Sequence, residues 1–263
     1  MLPKNNTIIF NGRLIEDEIN IDTIIYKSAA YEVIRLVKGY PLFFKDHILR
    51  LFASLDLSDT NNKYFTLLSE KFKDLVENKS LIEGNIRIDA WLLNKDFNFI
   101  IRQIPHNYPQ ENDYKNGVKL SILHAERSNP NKKVRLPSLR SQADELIALK
   151  KVHEVLLINQ NNEITEGSRS NVFFVKGNTI ITPPNKQVLE GITRKYVIKA
   201  IKEHTDIIFI EKAINLDNLS EFDAVFLTGT SLNILPIKSI DSLNFNPKQT
   251  TLIRLMQSFQ EIL

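Results

Sequence analysis

Residues 163–175, EITEGSRSNVFFV, read as a strand, a short polar interruption and a second, wholly apolar strand. Four polar residues crowd the interruption, Ser168-Arg169-Ser170-Asn171, next to Glu166 and Gly167. Taken alone, such a segment is a bulge or turn between two strands. The chain holds only 8 glycines in 263 residues, so a glycine beside a carboxylate raises a functional question.

Reading outward, the strand EVLLINQ lies upstream of a turn at Asn161-Asn162, and a helix at 138–152 precedes it. VKLSILHAE, from residue 118, opens this second half of the chain. Downstream, GITRKYVIKAIKEH has helical spacing. The strand DIIFIEKA follows, then DAVFLTGTSLNILPI as two strands about a tight turn, and a last helix over about 247–262.

The first half has its own pattern. Asn11-Gly12 marks a hairpin within 7–15, and Lys38-Gly39 a second one joining YEVIRLV to YPLFF. Helices are expected at 46–56, capped by Asp46, and at 62–78. Strands are expected at 85–93 and 97–104. The polar stretch 105–116, with Pro105 and Pro109, reads as a linker. The pattern predicts an α+β protein of two domains, 1–112 and 118–263.

Composition narrows the function. With 34 basic and 31 acidic residues the net charge is +3, and no basic run argues for nucleic acid. The absence of cysteine excludes disulfides, thiolate nucleophiles and Cys-ligated metals. No metal site is expected. MLPKNNTIIFNGRLIEDE turns polar and acidic too soon for a signal peptide, and no apolar stretch reaches the ~18 residues of a membrane span. The expectation is a cytoplasmic protein with no membrane partner.

Four segments carry possible chemistry. Lys132-Lys133 lie in SNPNKKVRLP. Two loop lysines are ordinarily solvated, but a desolvated one can attack an aldehyde. Glu166 could face a ring nitrogen. In Leu189-Glu-Gly-Ile-Thr-Arg194, the N–H groups of Ile192 and Thr193 open a helix, where phosphate binds readily. Thr228-Gly-Thr-Ser231, a β-turn on its face, offers a second hydroxyl-and-amide cradle that includes Thr230.

Together these segments resemble the class IV aminotransferases, the pyridoxal 5′-phosphate (PLP) enzymes of fold type IV, from about Asp46 to Pro236. The family includes branched-chain and D-amino acid aminotransferases and aminodeoxychorismate lyase. EGSRSNVFFV and VLEGITR resemble its central signature, and DHILRL its His-x-x-Arg-Leu helix. The resemblance implies a cofactor in the cleft between two domains of the D-amino acid aminotransferase-like fold. It implies that Lys133, 33 residues before Glu166, bonds to PLP, with Lys132 the alternative register. It also implies that Glu166 faces the pyridine nitrogen and that Arg50, Ile192, Thr193 and Thr230 hold the phosphate. The implied reaction moves an amino group between an amino acid and a 2-keto acid, in a homodimer.

Tyr31 resembles a substrate-pocket tyrosine of the D-amino acid branch, and a half-buried strand aromatic is the other reading. Arg35, Arg87, Arg135 and Arg169 are candidates for the substrate carboxylate. The substrate-facing positions depart from the family: Ser28-Ala29-Ala30 precedes Tyr31, Val134 follows the lysine, Asp89-Ala90-Trp91 replaces a Thr-Arg-Gly, and Asn233 replaces a Glu. The altered substrate strand gives one alternative, a PLP-binding member without transaminase activity. The other is an aminodeoxychorismate lyase-like enzyme of the same fold. Val33 counts against it, because that branch has a threonine near this position. The amino donor, its chirality and the acceptor are not read from the sequence.

Overall fold

The structure, a computed structural model, describes residues 7–15, 29–57 and 62–263. Ser28 lies outside the described residues. The chain divides into two compact units. One comprises residues 1–107 with 132–135, and the other residues 108–131 with 136–263.

The first unit is built on a six-stranded antiparallel sheet. Its strands are β1 (Ile8–Phe10), β2 (Arg13–Ile15), β3 (Ala30–Val37), β4 (Tyr40–Pro41), β5 (Glu83–Leu93) and β6 (Asp96–Ile104), in the order β2-β1-β6-β5-β3-β4. Helices α1 (Phe44–Ser54) and α2 (Asn62–Asn78) cover one face. The strand alternation places Ala30, Ile34 and Leu36 with Ile86, Ile88 and Ala90 on that side, against Ile48, Leu51, Leu68 and Leu75. Glu32 is the one charged residue of β3 on this apolar face, and it is fully buried.

Two expectations for this unit are corrected. YPLFF forms a strand only over Tyr40–Pro41. Phe43 turns to φ 52° and α1 starts at Phe44, so Asp46 lies in the first helical turn instead of capping it.

The second unit holds α3 (Glu111–Asn116), β7 (Val118–His124), α4 (Pro137–Lys150), β8 (Glu154–Ile158), β9 (Glu163–Gly167), β10 (Asn171–Lys176), β11 (Thr179–Thr182), α5 (Ile192–Glu203), β12 (Ile208–Glu211), β13 (Ile214–Asn215), β14 (Ala224–Gly229), β15 (Asn233–Ile240), β16 (Leu243–Asn244) and α6 (Thr250–Gln260). The sheet runs β12-β11-β10-β14-β15-β7-β8-β9-β13, with β16 beside β15. The β11–β12, β15–β7 and β7–β8 pairs are parallel. Because β10 and β14 are buried on both faces, they read as unbroken apolar runs. Phe173 and Phe226 stack at 4.9 Å on the side that receives Val197, Ala200 and Ile201 of α5. The expected linker over 105–116 contains α3. A reciprocal box between Gln110 and Asp113 closes its first turn, which polar composition alone conceals.

Candidate active site

In the first unit, α1 brings a cation to a buried anion. His47 and Arg50 are three residues apart and share a helix face, and both reach Glu32 of β3. His47 Nδ1 lies 2.7 Å from Glu32 Oε2. Arg50 donates from Nε to Oε1 and from Nη2 to Oε2, each at 2.7 Å. Burial alone would raise the Glu32 pKa. The Arg50 charge and hydrogen bonds, with the His47 bond, override it and hold the carboxyl at about 2. Burial lowers the His47 pKa. Glu32 opposes that shift, while Arg50 and Lys133 add to it. Because a carboxylate only accepts, the hydrogen in the contact with Glu32 lies on His47 Nδ1.

The lysine pair separates in this unit. Lys132 Nζ bonds Asp56 Oδ2 at 2.6 Å in an exposed ion pair. Lys133 is fixed by its main chain. Its N–H donates to Ser54 Oγ at 3.1 Å, and its carbonyl accepts from Tyr31 N–H at 2.9 Å. An isolated bridge between Ala30 and Val134 extends this pairing. The Lys133 ammonium is 4.9 Å from the Tyr31 ring centre, and the Arg87 guanidinium lies 4.2 Å from it. Arg87 is itself clamped by buried Asp89 through three contacts of 2.6–2.9 Å. The Asp-Ala-Trp departure thus supplies the carboxylate that fixes Arg87. By strand alternation Arg35, like Tyr31, projects from the face of β3 opposite Glu32. Arg135 anchors to Ala29 O through its backbone.

In the second unit, Glu166 ends β9 and is 4% exposed. Leu189 N–H donates to its Oε2 at 3.1 Å and Asn171 Nδ2 at 3.3 Å, while Arg127 Nε lies 3.3 Å from Oε1. Leu189 N–H, Asn171 Nδ2 and Arg127 Nε are all donor groups, complementary to a carboxylate. The bend after it is organised by Glu154, whose Oε1 accepts from Ser168 Oγ and Arg169 N–H and whose Oε2 accepts from Ser170 Oγ, at 2.7–2.8 Å. Arg169 itself points its exposed side chain to Asp144. Gly167 is required here, because a β-carbon would lie 2.2 Å from Ser170 Oγ.

Helix α5 begins beside this carboxylate. Its N-cap is Gly191, and no side chain caps the first turn. A β-carbon on Gly191 would lie 2.0 Å from Asn171 Oδ1, which places Asn171 against the helix start. Ile192 and Thr193 are buried in the first turn. Arg194 donates to Pro183 O at 3.0 Å and pairs with Glu211, pinning the loop that enters the helix. Thr230 opens the turn between β14 and β15. Thr228, two residues earlier, is 1% exposed, and its hydroxyl has no hydrogen-bond partner. No group of three or more metal-ligating side chains occurs among the described residues.

Residues 29–240 match the amino-transferase class IV family. The chain belongs to the class IV aminotransferases. Over 255 residues it is 28% identical to a protein of Thermotoga maritima described as a probable branched-chain-amino-acid aminotransferase, covering 93% of this chain and 91% of that one. It is 26% identical over 267 residues to the D-alanine aminotransferase of Bacillus licheniformis, covering 89% and 88%. The fold matches the branched-chain amino acid aminotransferase of Thermobaculum terrenum, solved in its PLP form, with a TM-score of 0.81 and 23% identity over 98% and 94% of the two chains. This class IV aminotransferase is thus a PLP-dependent transferase of fold type IV. Its residues fit the cofactor. An acceptor-only carboxylate suits a protonated ring nitrogen, and an uncapped helix start with an orphaned hydroxyl nearby suits a phosphate.

The sequence reading did not single out Glu32, Arg127 or Glu154, and it named Thr228 only as the first residue of the TGTS segment. Glu32 left a trace, since it interrupts the apolar phase of an alternating strand. Arg127 left none, because nothing in its spacing distinguishes it from other loop arginines.

Proposed function

We propose that Lys133 is the lysine that bonds to PLP in this aminotransferase. Glu166 faces the ring nitrogen, and Arg50, the Ile192 and Thr193 amides and Thr230 hold the phosphate. Tyr31 faces the substrate. The observation that carries the proposal is the set of donors that orient the buried Glu166 carboxylate, the group a pyridinium needs as its counter-ion. Bound PLP supplies an aldehyde for the amine and a ring that takes up the electron pair of a Cα carbanion. Lys133 Nζ would take the substrate Cα proton as a base and return that proton as an acid. Glu32 fixes the orientation of the Arg50 guanidinium through Nε and Nη2. The surface ion pair of Lys132 supports Lys133 as the reactive member of the pair.

Borohydride reduction of the PLP-loaded protein, followed by peptide mass spectrometry, tests the assignment. The label is expected on Lys133 and absent in Lys133→Ala, and a label on Lys132 or on no lysine refutes it. A panel of D- and L-amino donors then reads the reaction, and the cofactor absorbance is expected to shift with at least one of them. A band that never shifts selects a binding-only protein, and pyruvate with p-aminobenzoate from aminodeoxychorismate selects the lyase. By analogy with the fold family we also propose a homodimer, to be checked by sedimentation equilibrium. The absence of cysteine supports a cytoplasmic setting. Cell fractionation tests that placement.

A further inference from the structure

We infer that Thr228 is a further phosphate-binding residue, donating its hydroxyl to the anion held at the start of α5. The inference rests on the proposed placement of the cofactor phosphate at Ile192 and Thr193. Three independent observations carry it. Thr228 is 1% exposed, and its Oγ1 has no hydrogen-bond partner. A buried hydroxyl left unpaired is costly, so native structures rarely keep one without a ligand or ordered water to receive it.

The direction of the side chain follows from the sheet. Thr228 of β14 is the cross-strand partner of Asn171 of β10, and residues directly opposite project from the same face. Two residues further along the same strands, Phe173 and Phe226 pack on the α5 side, so the period of two puts Asn171 and Thr228 on that side as well. Asn171 locates the helix start on that face, because its Oδ1 occupies the space a Gly191 β-carbon would take.

The α5 terminus itself brings N–H groups that no side chain caps. An uncapped helix start and an orphaned hydroxyl on the same face are complementary to one anion, and the hydroxyl bond to a phosphate oxygen is charge-assisted. Thr230 is the hydroxyl the sequence motif advertises. Thr228 lies inside the apolar run AVFLT, where a threonine passes for a strand former.

Thr228→Val removes the hydroxyl and keeps the shape. The test measures PLP and pyridoxal, which lacks the phosphate, binding to purified full-length protein by fluorescence titration. Inorganic phosphate is the third probe. In Thr228→Val the PLP and inorganic phosphate affinities are expected to fall about tenfold and that for pyridoxal to stay within twofold, with Thr228→Ser restoring both losses. The thermal midpoint of the cofactor-free variant is expected to hold or rise, since an unpaired buried group has been removed. Equal losses for PLP and pyridoxal, no loss for either, or a fall in the cofactor-free midpoint would each overturn the inference. The last outcome would show that water or protein already satisfies the hydroxyl. Wild-type protein that binds inorganic phosphate but neither PLP nor pyridoxal would instead refute the proposed cofactor site.

Discussion

Each unit buries a carboxylate, and each satisfies it by different means. Glu32 in the first unit meets two side chains, Arg50 and His47, delivered by one helix turn. Glu154 in the second unit meets a main-chain N–H and two serine hydroxyls within the three-residue bend 168–170. The first arrangement depends on charge, so it answers to pH and to loss of an ion. The second depends on backbone shape, so it answers to a β-carbon. The arrangements serve different ends: Glu32 fixes a cationic side chain, while Glu154 fixes the course of the chain after Glu166.

Removing the ion gives the largest contrast. Glu32→Ala leaves Arg50 and His47 without their acceptor, and breaking a buried pair from one side costs about 3–5 kcal/mol. Urea unfolding of the cofactor-free protein is expected to show a loss of that size. A loss under about 1 kcal/mol would mean that Arg50 finds another anion, and that the first unit does not depend on this charge. PLP affinity is expected to fall with it, because the Arg50 fork loses its brace.

Acid should single out the same cluster. The folded Glu32 pKa of about 2 lies below its ordinary 4.5, so the stability it contributes is complete above pH 4.5 and drains as the pH falls towards 2. At about 1.4 kcal/mol per unit, this is roughly 3 kcal/mol. His47 acts in the same direction from a higher pH. Its folded pKa is depressed, so the unfolded chain gains the proton first as the pH drops below 6.5 and stability declines. Unfolding free energies at pH 8, 5 and 3 are expected to decline in that order, and in Glu32→Gln the segment below pH 4.5 should flatten. An unchanged acid limb in that variant would assign the loss to other groups.

Gly167→Ala probes the second arrangement. The new β-carbon falls 2.2 Å from Ser170 Oγ and 3.2 Å from the Glu154 carboxyl carbon, so the bend must open. Overpacking of this kind costs about 1–3 kcal/mol. Thermal melts at pH 8 and 5 are expected to show the same loss, in contrast to the Glu32 variants. Gly167→Ala combined with Ser170→Ala, which removes the clashing oxygen, should recover part of it. No recovery would place the strain in the backbone.

Much of this was legible beforehand, for identifiable reasons. Strands β3, β5, β8, β10 and β14 and helix α2 follow from periodicity, since each buries an apolar face or two against its sheet neighbours. The short β4 misled, because Pro41-Leu42-Phe43-Phe44 is apolar enough for a strand. Phe43, however, takes a positive φ that redirects the chain into α1. Helix α3 was hidden because a capping box, not an apolar stripe, defines it. The site divides in the same way. Glu166, Ile192, Thr193 and Thr230 stand in contiguous motifs, whereas Arg127 and Glu154, and the burial of the Thr228 hydroxyl, emerge only when the strands come together in register.

The smallest effect is expected from the lysine next to the one proposed to react. Lys132 and Lys133 are neighbours in sequence but not in environment. Lys132 pairs with Asp56 where the two side chains are 38% and 76% exposed. Water screens such a pair, and holding two long side chains in one geometry costs entropy, so its worth is about 0–1 kcal/mol. Lys133 has its main chain fixed on both sides, by Ser54 and Tyr31, and its ammonium set over an aromatic ring. Lys132→Ala is therefore expected to move the unfolding free energy by no more than about 1 kcal/mol and to leave the transamination rate within twofold. Lys133→Ala should lower the rate by about 10²–10⁴-fold or more, because it removes the proposed general base. If Lys132→Ala instead proves the more damaging, the reactive position moves by one residue. The clamp by Ser54 and Tyr31 would then hold the backbone that presents Lys132, and the surface pair with Asp56 would have to open before the amine could act.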